Sequence, residues 1–181
     1  MKGIVFTEFL ELVENKFGFE VLDKIITNSE LENNGAYSAV GTYPHAEMIK
    51  LVIELSEQTG LSVPDLLYTY GLHFFAVLNN SYPHFIDSQK NVFTFLKSID
   101  SYIHPEVLKL YPDAELPSFN TLEESKDRLV IEYESTRNMS DFAHGLFVST
   151  IEHFKESIDI QKEETNDNVK SVKFIFSRRN D

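Results

Sequence analysis

The sequence predicts an α+β domain: an N-terminal helical subdomain followed by helices packed on a four-stranded antiparallel sheet. Two features of the pattern and the length predict it. Apolar residues recur at helical spacing through most of the first half, and from Phe119 the pattern changes to alternation. Helices first and an antiparallel sheet second is the order of an α+β chain. The length, 181 residues, suits one folding unit able to enclose a large ligand, since a chain of this size buries roughly 70% of its extended surface. We expect a single domain over residues 1–181, with the helical subdomain at about 1–83 and a helix-and-sheet subdomain at about 84–181.

Residues 3–16 read as a helix, because Ile4, Val5, Leu10, Leu12 and Val13 recur at near-helical spacing with Phe6 and Phe9 among them. Gly18 interrupts, and a second amphipathic helix runs from Phe19 to about Asn28. Residues 29–44, rich in Asn, Gly, Ser and Tyr, read as a loop with room for one short extended piece. Helix resumes from about His45 to Gln58, and Gly60 stands where a helix end favours a positive φ. Ser62, with Asp65 three residues on, caps a helix through Asn79 that contains LLYTYGLHFFAVL. A helix apolar on every side is buried, or touches both a core and a ligand. Pro83 closes this half, and residues 88–99 read as a further helix.

Pro105 disfavours helical dihedrals at His104, so either a new helix starts there or the helix is irregular at that point. FNTLEE and RLVIEYES are strand-like and joined by Ser-Lys-Asp; residues 138–154 return to helix. ESIDIQKE and KSVKFIFSRR then alternate about the turn EETNDN, which makes a hairpin and is the one acidic low-complexity stretch.

Composition removes several function classes. Lys plus Arg number 16 against 29 Asp plus Glu, a formal charge of −13, which repels phosphate backbones and anionic membrane surfaces. Nucleic acid and membrane are therefore not expected as partners. The longest apolar runs fall short of a membrane span and the opening residues carry acids instead of a leader pattern, so a soluble, cytoplasmic protein is expected. With no cysteine, disulfides, thiolate metal sites and thiol redox sensing are excluded. The 15 phenylalanines suit the lining of a flat apolar ligand, or an ordinary aromatic core. No nucleophile elbow, nucleotide-binding glycine loop or metalloprotease histidine pair is found, so no enzyme activity is expected.

The chemistry-bearing stretch runs from Ser101 to Arg137. His104 lies in an apolar helical setting, Pro117 follows thirteen residues later, and a β-patterned run ends on Tyr133, Ser135 and Arg137 at alternate positions. Alternate residues on a strand share a face, so the three groups are expected to project together. Taken singly, a histidine at a helix start is most often a cap and an arginine at a strand end is usually exposed. Taken together, they are what a buried haem requires: an axial ligand, and charge-assisted partners for two desolvated propionates. Among the other histidines His73, on the all-apolar helix, is the rival ligand; a core imidazole bonded to backbone is its ordinary reading.

This combination resembles the haem–nitric oxide/oxygen binding (H-NOX) domain family, whose signature is a proximal histidine, a proline about thirteen residues on and a Y-x-S-x-R motif. The opening MKGIVFTEFLELVENKFG is similar to the family's N-terminus, and the resemblance, to a stand-alone bacterial member, covers essentially the whole chain. It implies haem b (iron protoporphyrin IX) buried between the subdomains. His104 would be the iron ligand, Tyr133, Ser135 and Arg137 the propionate partners, and Pro117 a residue pressing on the macrocycle from the proximal side. Some relatives carry a cysteine-containing zinc site near the C-terminus, which this chain cannot build.

The resemblance also bears on ligand choice. In oxygen-binding members a tyrosine nine positions after the motif tyrosine donates to the bound gas; here that position is Phe142, and the supporting polar positions are Phe9 and Phe74. Val5, Leu78 and Leu146 are expected as further apolar lining. Ferrous haem binds oxygen as a polar unit that benefits from a donor, whereas bound nitric oxide depends on one far less. The expectation is a nitric oxide sensor in which ligand binding breaks the iron–histidine link and releases the helix carrying His104. Its signal would pass to a separate partner, a sensor histidine kinase or a diguanylate cyclase. The alternatives are an oxygen-binding haem sensor, or a non-signalling carrier of haem or another apolar ligand.

Overall fold

Helical periodicity fixes the first layer. In the computed structural model, which describes residues 1–164 and 171–179, α1 (Gly3–Phe17) turns Phe6, Phe9, Leu12 and Val13 to one buried face. α2 (Phe19–Asn28), α3 (His45–Thr59) and α4 (Val63–Ser81) complete a helical core around Leu51, Leu55, Leu67 and Tyr70. Gly60 ends α3 at φ 71°, a left-handed conformation that costs glycine least. Ser62 caps α4: its Oγ accepts from the Asp65 N–H at 3.2 Å and donates to Asp65 Oδ2 at 2.6 Å. The loop before α3 contributes only an isolated antiparallel bridge, Lys2 to Thr42, where a short extended piece was expected.

Pro83 does not simply close the half. It opens a short helix, α5 (Pro83–Asp87), because a proline at a first helical position loses no hydrogen bond. The helix expected at 88–99 starts later, as α6 (Val92–Ser98), where Asn91 and Thr94 form a reciprocal capping box. α6 then passes through a π-helical turn, Ile99–Ile103, directly into α7 (His104–Leu110). Of the two readings of Pro105, the irregular helix is the one observed: His104 has helical dihedrals, φ −60° and ψ −43°, and its N–H reaches back five residues to the Ile99 carbonyl. The wider π register accommodates the missing N–H of Pro105 at this join.

The second layer is a four-stranded antiparallel sheet in the order β1-β2-β4-β3, formed by β1 (Ser118–Glu124), β2 (Arg128–Glu134), β3 (Ile158–Glu164) and β4 (Ser171–Arg178). A bulge between Thr121 and Glu123 bends β1, and the Ser-Lys-Asp turn joins it to β2. β3 and β4 pair as the predicted hairpin, though the turn residues Thr165 to Asn168 lie outside the described residues. α8 (Ser140–Phe154) crosses the sheet and sets Phe147 against Phe174 and Phe176, with ring centroids 4.9 and 5.4 Å apart. No single helix among the described residues is long and apolar enough to cross a membrane.

The two layers meet where α4 crosses α8 at backbone contact. A Cβ on Gly145 would lie 2.1 Å from the Tyr68 carbonyl oxygen, and one on Gly71 would lie 2.1 Å from that of Phe142. Only paired glycines allow this approach, and it pulls Phe142 and Leu146 of the second half onto the helical core. A Gly145→Ala substitution is therefore expected to push the helices apart and lower stability by about 1–3 kcal/mol. Urea unfolding followed by circular dichroism measures this; an unchanged midpoint would show that the crossing yields freely.

Candidate functional site

Between the layers lies a cavity of about 320 Å³, within the range of pockets that hold small molecules and cofactors. One wall is apolar and comes from α1, α4 and α8: Val5, Phe74, Leu78, Phe142 and Leu146. The opposite side comes from the π turn and α7, with Ile99, Ile103, His104 and Val107, and Pro117 lines the cavity from the segment that follows. Tyr133, Ser135 and Arg137 are among its polar side chains.

The helical join aims the imidazole. His104 Nδ1 lies 2.7 Å from Asp100 Oδ1, one turn back, off the line of the ring N–H. The other carboxylate oxygen, Oδ2, accepts from the Phe119 N–H at 2.6 Å, which ties the turn to the first residues of β1. Nε2 is left without a protein partner among the described residues and is the nitrogen available to a metal. Burial holds the His104 imidazole below the ordinary histidine range, and the Asp100 carboxylate only partly opposes this. The ring is thus kept neutral at neutral pH, the form that ligates. Asp100 escaped the sequence reading, although its spacing of four residues from His104 was a usable signal, because ligating histidines commonly rest on a carboxylate.

At the polar end the sequence reading needs one correction. β2 stops at Glu134, so Ser135 and Arg137 lie beyond the strand and strand alternation is not what gathers them. Ser135 Oγ accepts the Arg137 N–H at 3.1 Å, a side-chain turn that competes with the ladder, and Asn138 follows at φ 51°. The turn still delivers all three side chains to one cavity. The Arg137 guanidinium donates from Nη1 to the Glu115 carbonyl and from Nη2 to Glu115 Oε2, both at 2.7 Å. Burial pushes the Tyr133 hydroxyl up, opposed by its hydrogen bond with Ser135 and the nearby Arg137 charge.

Phe9 is a second correction. It does not line the cavity but packs edge-on against Tyr70, centroids 5.3 Å apart, one layer behind Phe74 and Phe142. Tyr70, which the sequence reading passed over, is fully buried and touches both Phe74 and Phe142. Its hydroxyl donates to the Val5 carbonyl at 2.6 Å. Thr150, at the cavity edge, donates to the Leu146 carbonyl at 2.8 Å. These two hydroxyls are thereby committed to backbone. His73 stays outside the cavity, and its Nε2 faces Glu8 at 3.8 Å instead of bonding to backbone.

No group of three or more His, Cys, Asp or Glu side chains among the described residues could hold an ion alone. The donor set suits a metal that brings its own equatorial ligands: one oriented neutral imidazole, an apolar wall facing it, and a guanidinium for acidic substituents. These residues fit a haem, and fold and cavity together are those of a domain able to hold one. The profile of the Haem-NO-binding family matches residues 2–162. The H-NOX protein from K. algicida in its unliganded Fe(II) state is 48% identical, with a TM-score of 0.95 over 100% of this chain and 98% of that chain. The IWP-051-bound H-NOX from Shewanella woodyi in the Fe(II)CO state is 39% identical, with a TM-score of 0.84 over 99% of this chain and 95% of that one. An H-NOX protein from S. oneidensis in the Fe(II)NO state, at 22% identity, shares the fold with a TM-score of 0.90 over 99% and 100% of the two chains. The chain belongs to the H-NOX family of haem-binding gas sensors.

The lowered His104 pKa makes the cofactor-free protein acid-sensitive. Below the unperturbed value of 6.5 the unfolded chain takes up a proton that the folded chain resists, so stability present above that pH is lost as pH falls through the native value. His104→Gln is expected to flatten this dependence between pH 7.5 and roughly 5, leaving the share from His144, which burial also lowers. Urea titrations of both proteins across that window measure the difference. An identical slope would remove His104 from the account.

Proposed function

We propose that the protein is a nitric oxide sensor holding haem b through His104, and that it signals to a separate protein without catalysing a reaction of its own. The observation that carries this reading is the contrast across the cavity. A carboxylate-supported imidazole stands on one side, and on the other a phenylalanine-rich wall whose neighbouring hydroxyls already donate to backbone. Bound haem would supply a ferrous iron able to take a diatomic ligand.

The chain's own residues do the rest. Asp100 orients His104, and Arg137, Tyr133 and Ser135 hold acidic groups at the cavity's polar end, with Glu115 giving up the guanidinium to them. The wall of Phe74, Phe142 and Leu146 excludes water and offers no proton to a bound gas, which disfavours oxygen relative to nitric oxide. Because Asp100 contacts both His104 and the Phe119 N–H, a shift of the His104 helix is passed directly to β1. That is a two-state element which ligand binding can bias. The output partner, by family resemblance, is a sensor histidine kinase or a diguanylate cyclase. A cytoplasmic location belongs to the same reading and rests on composition, with no cysteine and a charge of −13.

Visible spectroscopy tests it. The purified or reconstituted protein is expected to show a Soret band, to form no stable oxy species in air, and to shift the band to shorter wavelength when nitric oxide meets the ferrous form. His104→Gly is expected to lose the pigment unless free imidazole is added. A stable oxy spectrum would make it an oxygen sensor, and a colourless protein after reconstitution would end the haem reading.

A further inference from the structure

The cavity carries a second cation that the family signature does not include. Lys2, just before α1, lines the cavity and its side chain is only 14% exposed, the same as that of Arg137. Its Nζ donates to Thr42 Oγ1 at 2.8 Å and to Asp113 Oδ1 at 3.2 Å, and stands 4.9 Å from the centre of the Tyr111 ring. Thr42 in turn donates to Asp113 Oδ2 at 2.7 Å.

The two cations are held alike. Each meets a carboxylate from the segment after α7: Asp113 for Lys2, Glu115 for Arg137, two residues apart in the chain. Both carboxylates are largely exposed, at 60% and 83%, where an ion pair is screened by water; hydrogen bonds from Thr42 and Lys2 still hold the Asp113 carboxyl below its ordinary range. The cations are the less exposed partners, and a partly desolvated cation needs an anion more than a surface acid needs a cation. Lys2 and Arg137 are also the only Lys or Arg side chains on the cavity wall among the described residues, in a chain with a formal charge of −13. The Met1 amino group is electrostatically coupled to all four charges, which places both ion pairs at one end of the cavity.

We propose that Lys2 is a second carboxylate anchor, so that the site takes a dicarboxylate tetrapyrrole with one acid group on Arg137 and the other on Lys2. This rests on the haem reading above. Asp113 and Glu115 then stand in for the two acids in the cofactor-free protein, and swing out when the acids arrive. Asp113 is exposed and can leave for solvent once the incoming acid has taken its place on Lys2.

The test compares haem with its dimethyl ester, which lacks both charges, by following loss of the Soret band to an excess of an apoprotein scavenger. Lys2→Met is expected to speed haem loss roughly three- to tenfold, the effect of a partly screened charge-assisted bond. It should leave the rate for the ester unchanged. Lys2→Arg, which keeps the charge, should stay within about twofold of wild type on the same grounds. Equal acceleration for haem and ester would make Lys2 a mere latch between α1 and Asp113, and no acceleration for haem would remove it from the site; either overturns the assignment while the haem reading stands. A wild-type protein that takes up neither pigment overturns both.

Discussion

Everything at this site depends on where one short carboxylate stands. Asp100 lies in a π-helical turn, with one oxygen against His104 Nδ1 and the other on the Phe119 N–H. In an unbroken α-helix a proline after the histidine would clash with the preceding turn; here the wider register absorbs it, so His104 keeps helical dihedrals. A π turn stores a small local cost, and such turns concentrate at functional positions because the surrounding structure holds them in place. The same carboxylate touches the imidazole with one oxygen and holds the start of β1 with the other, so it links the His104 helix to the sheet.

The second constraint is the approach of α4 and α8 at Gly71 and Gly145. It sets how deep the apolar wall can sit, because Phe74 lies one turn from the first glycine and Phe142 one turn from the second. A wider crossing would open the wall; this one packs Tyr70, Phe74 and Phe142 ring to ring with centroids 5.0 to 5.6 Å apart. The placement of His104 and of the phenylalanine wall on the cavity therefore follows from two backbone features.

Much of this was legible in the sequence where local chemistry decides. The Ser62 cap, the Gly60 terminus and the Ser-Lys-Asp turn each have a local cause, and each lies where the pattern puts it. The misses were of another kind. Asn91 capping α6 with Thr94 was readable but outweighed by the apolar run. The end of β2 at Glu134 depends on Ser135 bonding the Arg137 N–H, a competition that residue spacing does not reveal. Phe9 falls short of the cavity because helix rotation within the core decides which aromatic ring reaches it, and that is set by neighbours distant in the chain, Tyr70 among them.

The strand order has a consequence for the molecule's behaviour in a crowded solution. The inner strands β2 and β4 hold the apolar runs, while β1 and β3, at the two rims, carry Glu123, Glu124, Asp159, Glu163 and Glu164. An open rim is a template for adding another chain's strand. Here a copy that tried to extend the ladder would meet rims dense in charge, Glu123, Glu124 and Asp159 already paired with Arg128, Lys97 and Arg179, and the bulge in β1 would spoil its alignment. The charge on the rims thus guards the sheet against polymerising.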